Sequence, residues 1–313
     1  MSDRGDVLPA AATAEAKPLW LKAAPFIFLM LWSSGFACAK IGLQYSPPMT
    51  FLALRYALVL VVLAPLAVLL RPPLPKRGVD YLHVAVTGFL VQGVYFGFSY
   101  FAFWLGASAG SVALIVSLQP ILVGLLAPRF AGEHVGWTRW TGLVLGLIGA
   151  AIVIVARSEV EVTSAAAMIC AVAALAGMTS GTLYEKRFGV SQHPVTANAI
   201  QYVVGFLFVL PLALVSEDMQ VDWTWQLMVT VLYLVVANSL VSMTLLLAMI
   251  RAGEASRVSA LFFMVPPMAA VIAWVLLGEA MPPVAWAGMA IAAAGVLIAT
   301  RNWPLKARQP SRR

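Results

Sequence analysis

Charge is what this sequence has least of. Of its 313 residues, 11% are Asp, Glu, Lys or Arg while 62% are hydrophobic. So few charges cannot keep that much apolar matter inside a water-soluble fold. The solvent for most of the chain is therefore lipid, in line with a mean hydropathy of +0.91. Cysteine is nearly absent too: Cys38 and Cys170 both sit inside apolar runs, which excludes a disulfide framework and leaves free thiols. The histidines His83, His134 and His193 stand apart without companions at ligand spacing, so no metal is expected. Hydrolase, zinc-protease and phosphate-loop motifs are missing, and the longest aqueous loop is about ten residues, too short for a soluble active site. No catalysis, cofactor or nucleic-acid binding is expected, and the net charge of +7 has a simpler use.

What the chain does have is apolar runs of about 18 residues or more, the length that crosses a hydrocarbon core of roughly 30 Å as helix. Ten are expected, at 20–44, 49–70, 81–103, 107–128, 136–156, 162–184, 195–216, 223–249, 255–277 and 283–300. Residues 1–18 read as a disordered cytoplasmic tail and 302–313 as a basic cytoplasmic tail. With ten spans and a cytoplasmic N-terminus, seventeen Lys and Arg residues fall on the inner side, Arg71, Lys76, Arg77, Arg129 and Arg251 among them, and only Arg157 on the outer. That is the bias cytoplasmic loops show, and one helix more or fewer would scramble it. Both termini are therefore expected in the cytoplasm.

One stretch is written twice. Pro120, Gly132-Glu133, Trp140-x-Gly142 and Gly149 recur as Pro266, Gly278-Glu279, Trp286-x-Gly288 and Gly295, each pair 146 residues apart. Ala109/Ala255, Val112/Val258 and Ile152/Ile298 extend the match without a gap. A constant offset of this extent marks an internal repeat. Five helices per copy is an odd number, so the copies, 19–157 and 158–301, must lie upside down relative to each other. The expected fold is an all-α membrane protein of ten transmembrane helices, an inverted-topology repeat of two five-helix halves. Secondary transporters built this way hold their solute between the halves.

Two cations fall inside predicted helices, Lys40 and Arg55, at similar depth on either side of the turn at Ser46-Pro47. A charge at membrane depth costs about 2.5–3.5 kcal/mol on insertion scales. Two readings follow: the pair anchors a substrate carboxylate or other anion, or both side chains snorkel to the outer headgroups. Glu133, Glu185 and Glu217 are assigned to loops, leaving no carboxylate at membrane depth, which counts against a proton-driven exporter of cationic drugs. Polar and aromatic residues collect in segments one, three, four, six and eight: Trp32 and Ser34; Gln92, Tyr95, Phe96 and Tyr100; Gln119; Tyr184; Asn238 and Ser242. Each alone is either a packing hydrogen bond or a solute ligand, and together they outline a cavity between helices. Segments five and ten carry Gly142, Gly146, Gly149, Gly288 and Gly295 and few polar side chains, which suits close packing away from a cavity. Pro120, Pro266 and Pro267 each remove a backbone donor and free a carbonyl four residues earlier. They act either as kinks that shape packing or, being repeated, as a shared hinge.

Trp32-Ser-Ser-Gly-Phe36-x-x-x-Lys40 resembles the opening signature of the EamA branch of the drug/metabolite transporter superfamily. Arg55, the Pro120, Gly132-Glu133, Gly142 pattern with its second copy, and Lys186-Arg187 closing segment six are similar to that family as well. The resemblance covers almost the whole chain. It implies a bacterial inner-membrane location, a central cavity lined mainly by helices 1, 3, 4, 6, 8 and 9, and secondary transport of small organic metabolites. Substrates diverge within the family. The expectation for this chain is an exporter or exchanger of amino acids or related carboxylates working by alternating access, as a monomer or homodimer, with proton coupling left open. A multidrug exporter of lipophilic compounds and a membrane-embedded receptor or scaffold are the alternatives. Cysteines placed at Arg77 and Glu217 are expected to label from opposite sides of the membrane; labelling from one side contradicts the ten-helix topology.

Overall fold

The computed structural model describes residues 19–107, 112, 115–157, 164–189, 192–253, 255–277 and 281–301. Both tails, Ala109, Gly278 and Glu279 lie outside the described residues. Regular structure in the described residues is all helix: α1 (Leu19–Gly42), α2 (Pro48–Leu70), α3 (Gly78–Trp104), α4 (Gln119–Phe130, with helical residues at 112, 115 and 116), α5 (Trp137–Arg157), α6 (Ala165–Phe188), α7 (Pro194–Ser216), α8 (Trp225–Ala252), α9 (255–277) and α10 (Pro283–Thr300). Nine helices among the described residues are long and apolar enough to cross a membrane, and α4, described over a shorter stretch, completes the expected ten segments.

The repeat governs far more than the stretch where it can be read letter by letter. Pro48 and Pro194 begin α2 and α7, and Trp137 and Pro283 begin α5 and α10, each pair 146 residues apart. Irregularities repeat too. α3 passes from α to π geometry over Phe89–Phe96, and α8 does so over Leu234–Ser242. Before Pro120, the Leu118 N–H donates to the Ile115 carbonyl in a tightened turn. Before Pro266, α9 becomes a 3-10 helix over Leu261–Met264. The proline ring bars the regular bond to the carbonyl four residues back, so each copy tightens at the same place.

Repeat mates also pack on each other. α5 and α10 cross at their glycines: a Cβ on Gly149 would stand 2.2 Å from the Ala292 nitrogen, and one on Gly295 would stand 2.3 Å from the Gly146 nitrogen. Backbone touches backbone there, as the glycine pattern predicts. α2 meets α7, and Tyr56 and its mate Tyr202 stand edge to face at 5.3 Å. A residue that touches its own mate lies on the axis relating the copies. The pseudo-two-fold therefore runs between these tyrosines and through the α5/α10 crossing.

Short turns sort the helix ends onto two faces. On the face where α1 begins, Glu133 accepts from the N–H groups of Ala255 and Ser256 and from Ser256 Oγ at 2.7 Å. On the opposite face, Glu217 accepts from the N–H groups of Met49 at 2.9 Å and Thr50 at 2.7 Å. Each carboxylate caps the N-terminus of a helix of the other half, where the helix dipole favours an anion. Glu133 and Glu185, assigned from the sequence to wetted loops, are buried. α6 runs on to Phe188 because Glu185 faces inward, meeting Arg251 at 2.5 Å and Thr87 Oγ1 at 3.1 Å instead of water.

Gly149→Ala is expected to force α5 and α10 apart and cost about 1–3 kcal/mol, read as a lowered melting temperature in detergent. Gly97→Ala, where an added Cβ meets nothing within 4 Å, is the control, and equal melting temperatures for the two variants contradict the packing argument.

Candidate functional site

Arg55, seven residues into α2, is fully buried. Its Nε donates to Ser239 Oγ at 2.8 Å, one Nη to Asn238 Oδ1 at 2.8 Å and the other Nη to the Tyr100 hydroxyl at 3.3 Å. The guanidinium lies 4.8 Å from the centroid of the Phe96 ring. Asn238 and Ser239 belong to the π segment of α8, so a cation of the first half is held by the second. Gly35, in the Trp-Ser-Ser-Gly stretch of α1, makes room for this: a Cβ there would stand 2.4 Å from Asn238 Nδ2.

Three charge-assisted hydrogen bonds at about 1.5–3 kcal/mol each outweigh an insertion cost of about 2.5–3.5 kcal/mol. Arg55 therefore stays inside rather than snorkelling. All three acceptors are neutral, however, and no carboxylate among the described residues lies within ion-pair distance of the guanidinium. The planar fork carries five N–H donors, of which these bonds use three. The fold holds the cation in place and leaves its charge uncompensated.

Aromatic rings wall the same region. Trp32 stacks on Tyr95 at 6.3 Å and meets Phe96 at 5.8 Å and Phe262 at 5.6 Å. Several polar atoms buried in the helix bundle have no hydrogen-bond partner among the described residues: Ser33 Oγ, Ser99 Oγ, Ser242 Oγ, Gln119 Oε1, and both amide ends of Gln92 and of Gln201. Such atoms are rare in protein interiors.

The structure brings Trp32, Arg55, Tyr95, Phe96, Tyr100 and Asn238 together, and buries Gln92 and Ser242 in the two π segments. Gln119 donates to Thr182 and Ser259, tying α4 to α6 and α9. Ser34 bonds the Tyr233 hydroxyl at 2.6 Å. Tyr184 meets His83 Nδ1 at 2.9 Å and Phe188 near the face where α1 begins, away from Arg55. Lys40, in the last turn of α1, is exposed, so the two cations part company.

Sequence reasoning missed Ser239, Tyr56, Gln201 and Tyr202. Tyr56 donates to the Gln92 carbonyl at 2.8 Å and Tyr202 to the Ser239 carbonyl at 3.1 Å, each pinning the π segment of its own half. The Tyr202 hydroxyl also adjoins the Gln92 amide and the Arg55 guanidinium, but its proton goes to Ser239, and neither Gln92 amide end reaches hydrogen-bond geometry. The repeat offset carries the signal that would have found the missing pair, since it takes Arg55 to Gln201 and Tyr56 to Tyr202.

Known proteins resemble this chain in sequence and in fold. A probable amino-acid metabolite efflux pump of Salmonella typhimurium is 24% identical over 288 residues, covering 87% of this chain and 92% of that protein. A probable terminal-alkyne amino-acid exporter of Streptantibioticus cattleyicolor is 29% identical over 207 residues, 65% of this chain and 68% of that protein. An uncharacterised transporter of Bacillus subtilis is 25% identical over 285 residues, 89% of this chain and 91% of that protein. A crystal structure superposes with a TM-score of 0.75 over 90% of this chain and 97% of its own, at 17% identity, a likeness of fold. Residues 20–155 and 165–301 each match the model of the EamA-like transporter family. Matched in both of its halves, this multi-pass membrane protein belongs to the EamA-like transporter family, whose members are transporters and not enzymes.

Proposed function

We propose that the protein exports or exchanges small organic metabolites bearing a carboxylate, amino acids foremost, across the bacterial inner membrane by alternating access. One observation carries the reading: Arg55 is a fully buried cation with three neutral acceptors and no counter-ion among the described residues. A carboxylate accepts two parallel N–H bonds from a guanidinium fork, and it neutralises a charge that is expensive to leave alone. Trp32, Tyr95, Phe96 and Tyr100 would receive the apolar part of the solute. Two relatives bear names that specify efflux or export of amino acids or their metabolites, which supports the same cargo.

The face where α1 begins, with its excess of Lys and Arg, is the cytoplasmic one in this reading. The site residues are buried, with Glu133 holding α9 on one face and Glu217 holding α2 on the other. Transport then requires these clamps to release in turn as the halves rock about the Tyr56/Tyr202 and α5/α10 contacts, with the tightened turns before Pro120 and before Pro266-Pro267 as flexing points. Lys40 lies outside the anchor. The aromatic wall favours a second reading, export of uncharged lipophilic compounds, which needs no Arg55.

Counterflow into proteoliposomes with amino acids and with the corresponding decarboxylated amines separates the two. Amino acids are expected to exchange and amines not. Arg55→Ala is expected to lower amino-acid exchange by about 10- to 100-fold, the equivalent of about 1.5–3 kcal/mol, with normal insertion. Equal transport of amines, or an unimpaired Arg55→Ala protein, contradicts the carboxylate reading.

A further inference from the structure

The anchor at Arg55 has a counterpart that no charge advertises. Shifted by the repeat interval of 146, Arg55 becomes Gln201, its partner Asn238 is the mate of Gln92, and Ser239 is the mate of Gly93. The two π segments that carry Gln92 and Asn238 occupy equivalent places in α3 and α8. Tyr56 and Tyr202 each pin one of them, at carbonyls one residue out of register, and touch each other on the axis. The pair Gln201 and Gln92 is therefore the pseudo-symmetric image of the pair Arg55 and Asn238.

The image is built but not filled by protein. Gln92 and Gln201 are both 0% exposed, and all four of their amide atoms lack a hydrogen-bond partner among the described residues. Orphaned polar atoms at this depth are costly, a cost that apolar residues at the same positions would avoid. Small residues bring the two helices close: a Cβ on Gly88 of α3 would stand 2.6 Å from Gln201 Cα, and one on Gly205 of α7 would stand 2.6 Å from Gln92 Cβ. Arg55 and Gln201 each lie seven residues inside helices of 23 residues that start on opposite faces. At ~1.5 Å per residue each is about 10 Å from its own face, and the two are about 12 Å apart in depth, on either side of the midplane.

We propose that Gln92 and Gln201 form a second solute station, equivalent to Arg55 across the pseudo-two-fold, which takes the polar head of the same cargo nearer the face where α1 begins. This inference rests on the carboxylate-transport reading. Carboxamides both donate and accept, so the station binds a carboxylate or a zwitterionic amino-acid head. Being neutral, it binds more weakly than the guanidinium. A solute handed from Arg55 to this pair meets hydrogen bonds on both sides of the midplane, and the pair itself carries no charge to trap it.

Uptake of a 14C-labelled mixture of proteinogenic L-amino acids at subsaturating concentration is measured in proteoliposomes for the unaltered protein, Arg55→Ala, Gln201→Met and Gln92→Met, together with the melting temperature of each in detergent. Gln201→Met and Gln92→Met are each expected to lower uptake about tenfold while leaving the melting temperature equal or higher, because an apolar isostere relieves the orphaned amides. Uptake at the unaltered rate, or a fall in uptake that tracks a fall in melting temperature, overturns the second station. An Arg55→Ala protein that takes up amino acids normally overturns the carboxylate reading itself, so the two failures are distinguishable.

Discussion

A positive charge buried in a lipid-embedded fold has to be answered, and here it is answered by the other half of the molecule. Arg55 on α2 is held by Asn238 and Ser239 on α8 and by Tyr100 on α3. These bonds keep the guanidinium inside without neutralising it. Several features of the chain depend on that arrangement. Gly35 is small so that Asn238 can approach. Tyr202 fixes the Ser239 carbonyl, and with it the π segment that presents both acceptors. Phe96 offers its ring face to the cation.

The inverted repeat explains why such a charge stands alone. A duplicated five-helix unit starts with matched sites on each side of its axis, and the backbone still shows the match in its helix starts, its π segments and its tightened turns before Pro120 and Pro266. The side chains have diverged. One half carries arginine where the other carries glutamine, and Tyr100, which bonds the arginine, has Leu246 as its mate. Under the proposed alternating access, structural symmetry serves motion that opens either face, and chemical asymmetry gives the two sides of the proposed path different affinities. The clamps follow the same logic, Glu133 and Glu217 each tying a turn of one half to a helix start of the other.

The spans, the repeat and the inverted topology were legible in the sequence because apolar length, Lys/Arg bias and a constant offset are one-dimensional signals. Arg55 was legible for a related reason, since any charge inside an apolar run stands out. Lys40 stood out equally and proves exposed: distance from a turn sets depth but not the direction a side chain faces. Ser239 was missed because serine is ordinary between membrane helices. The π segments of α3 and α8 were illegible because their composition is that of their neighbours. Glu185 was misplaced into a loop because its partner Arg251, on a helix remote in sequence, is visible only in three dimensions. Gln201 could have been found by applying the offset of 146 to Arg55 itself rather than only to the glycine and proline pattern.

The central claim is that one cation, placed in one half of a symmetric frame, anchors the carboxylate of the cargo. Moving that cation to its mate position tests it most directly. In Arg55→Gln the anchor is gone, and in Arg55→Gln/Gln201→Arg the cation returns on the other side of the axis, with the unpartnered Gln92 Oε1 as its acceptor. Amino-acid exchange in proteoliposomes is expected to collapse in the single variant and to recover in the double variant. A double variant that inserts and folds yet exchanges no better than Arg55→Gln would contradict the account.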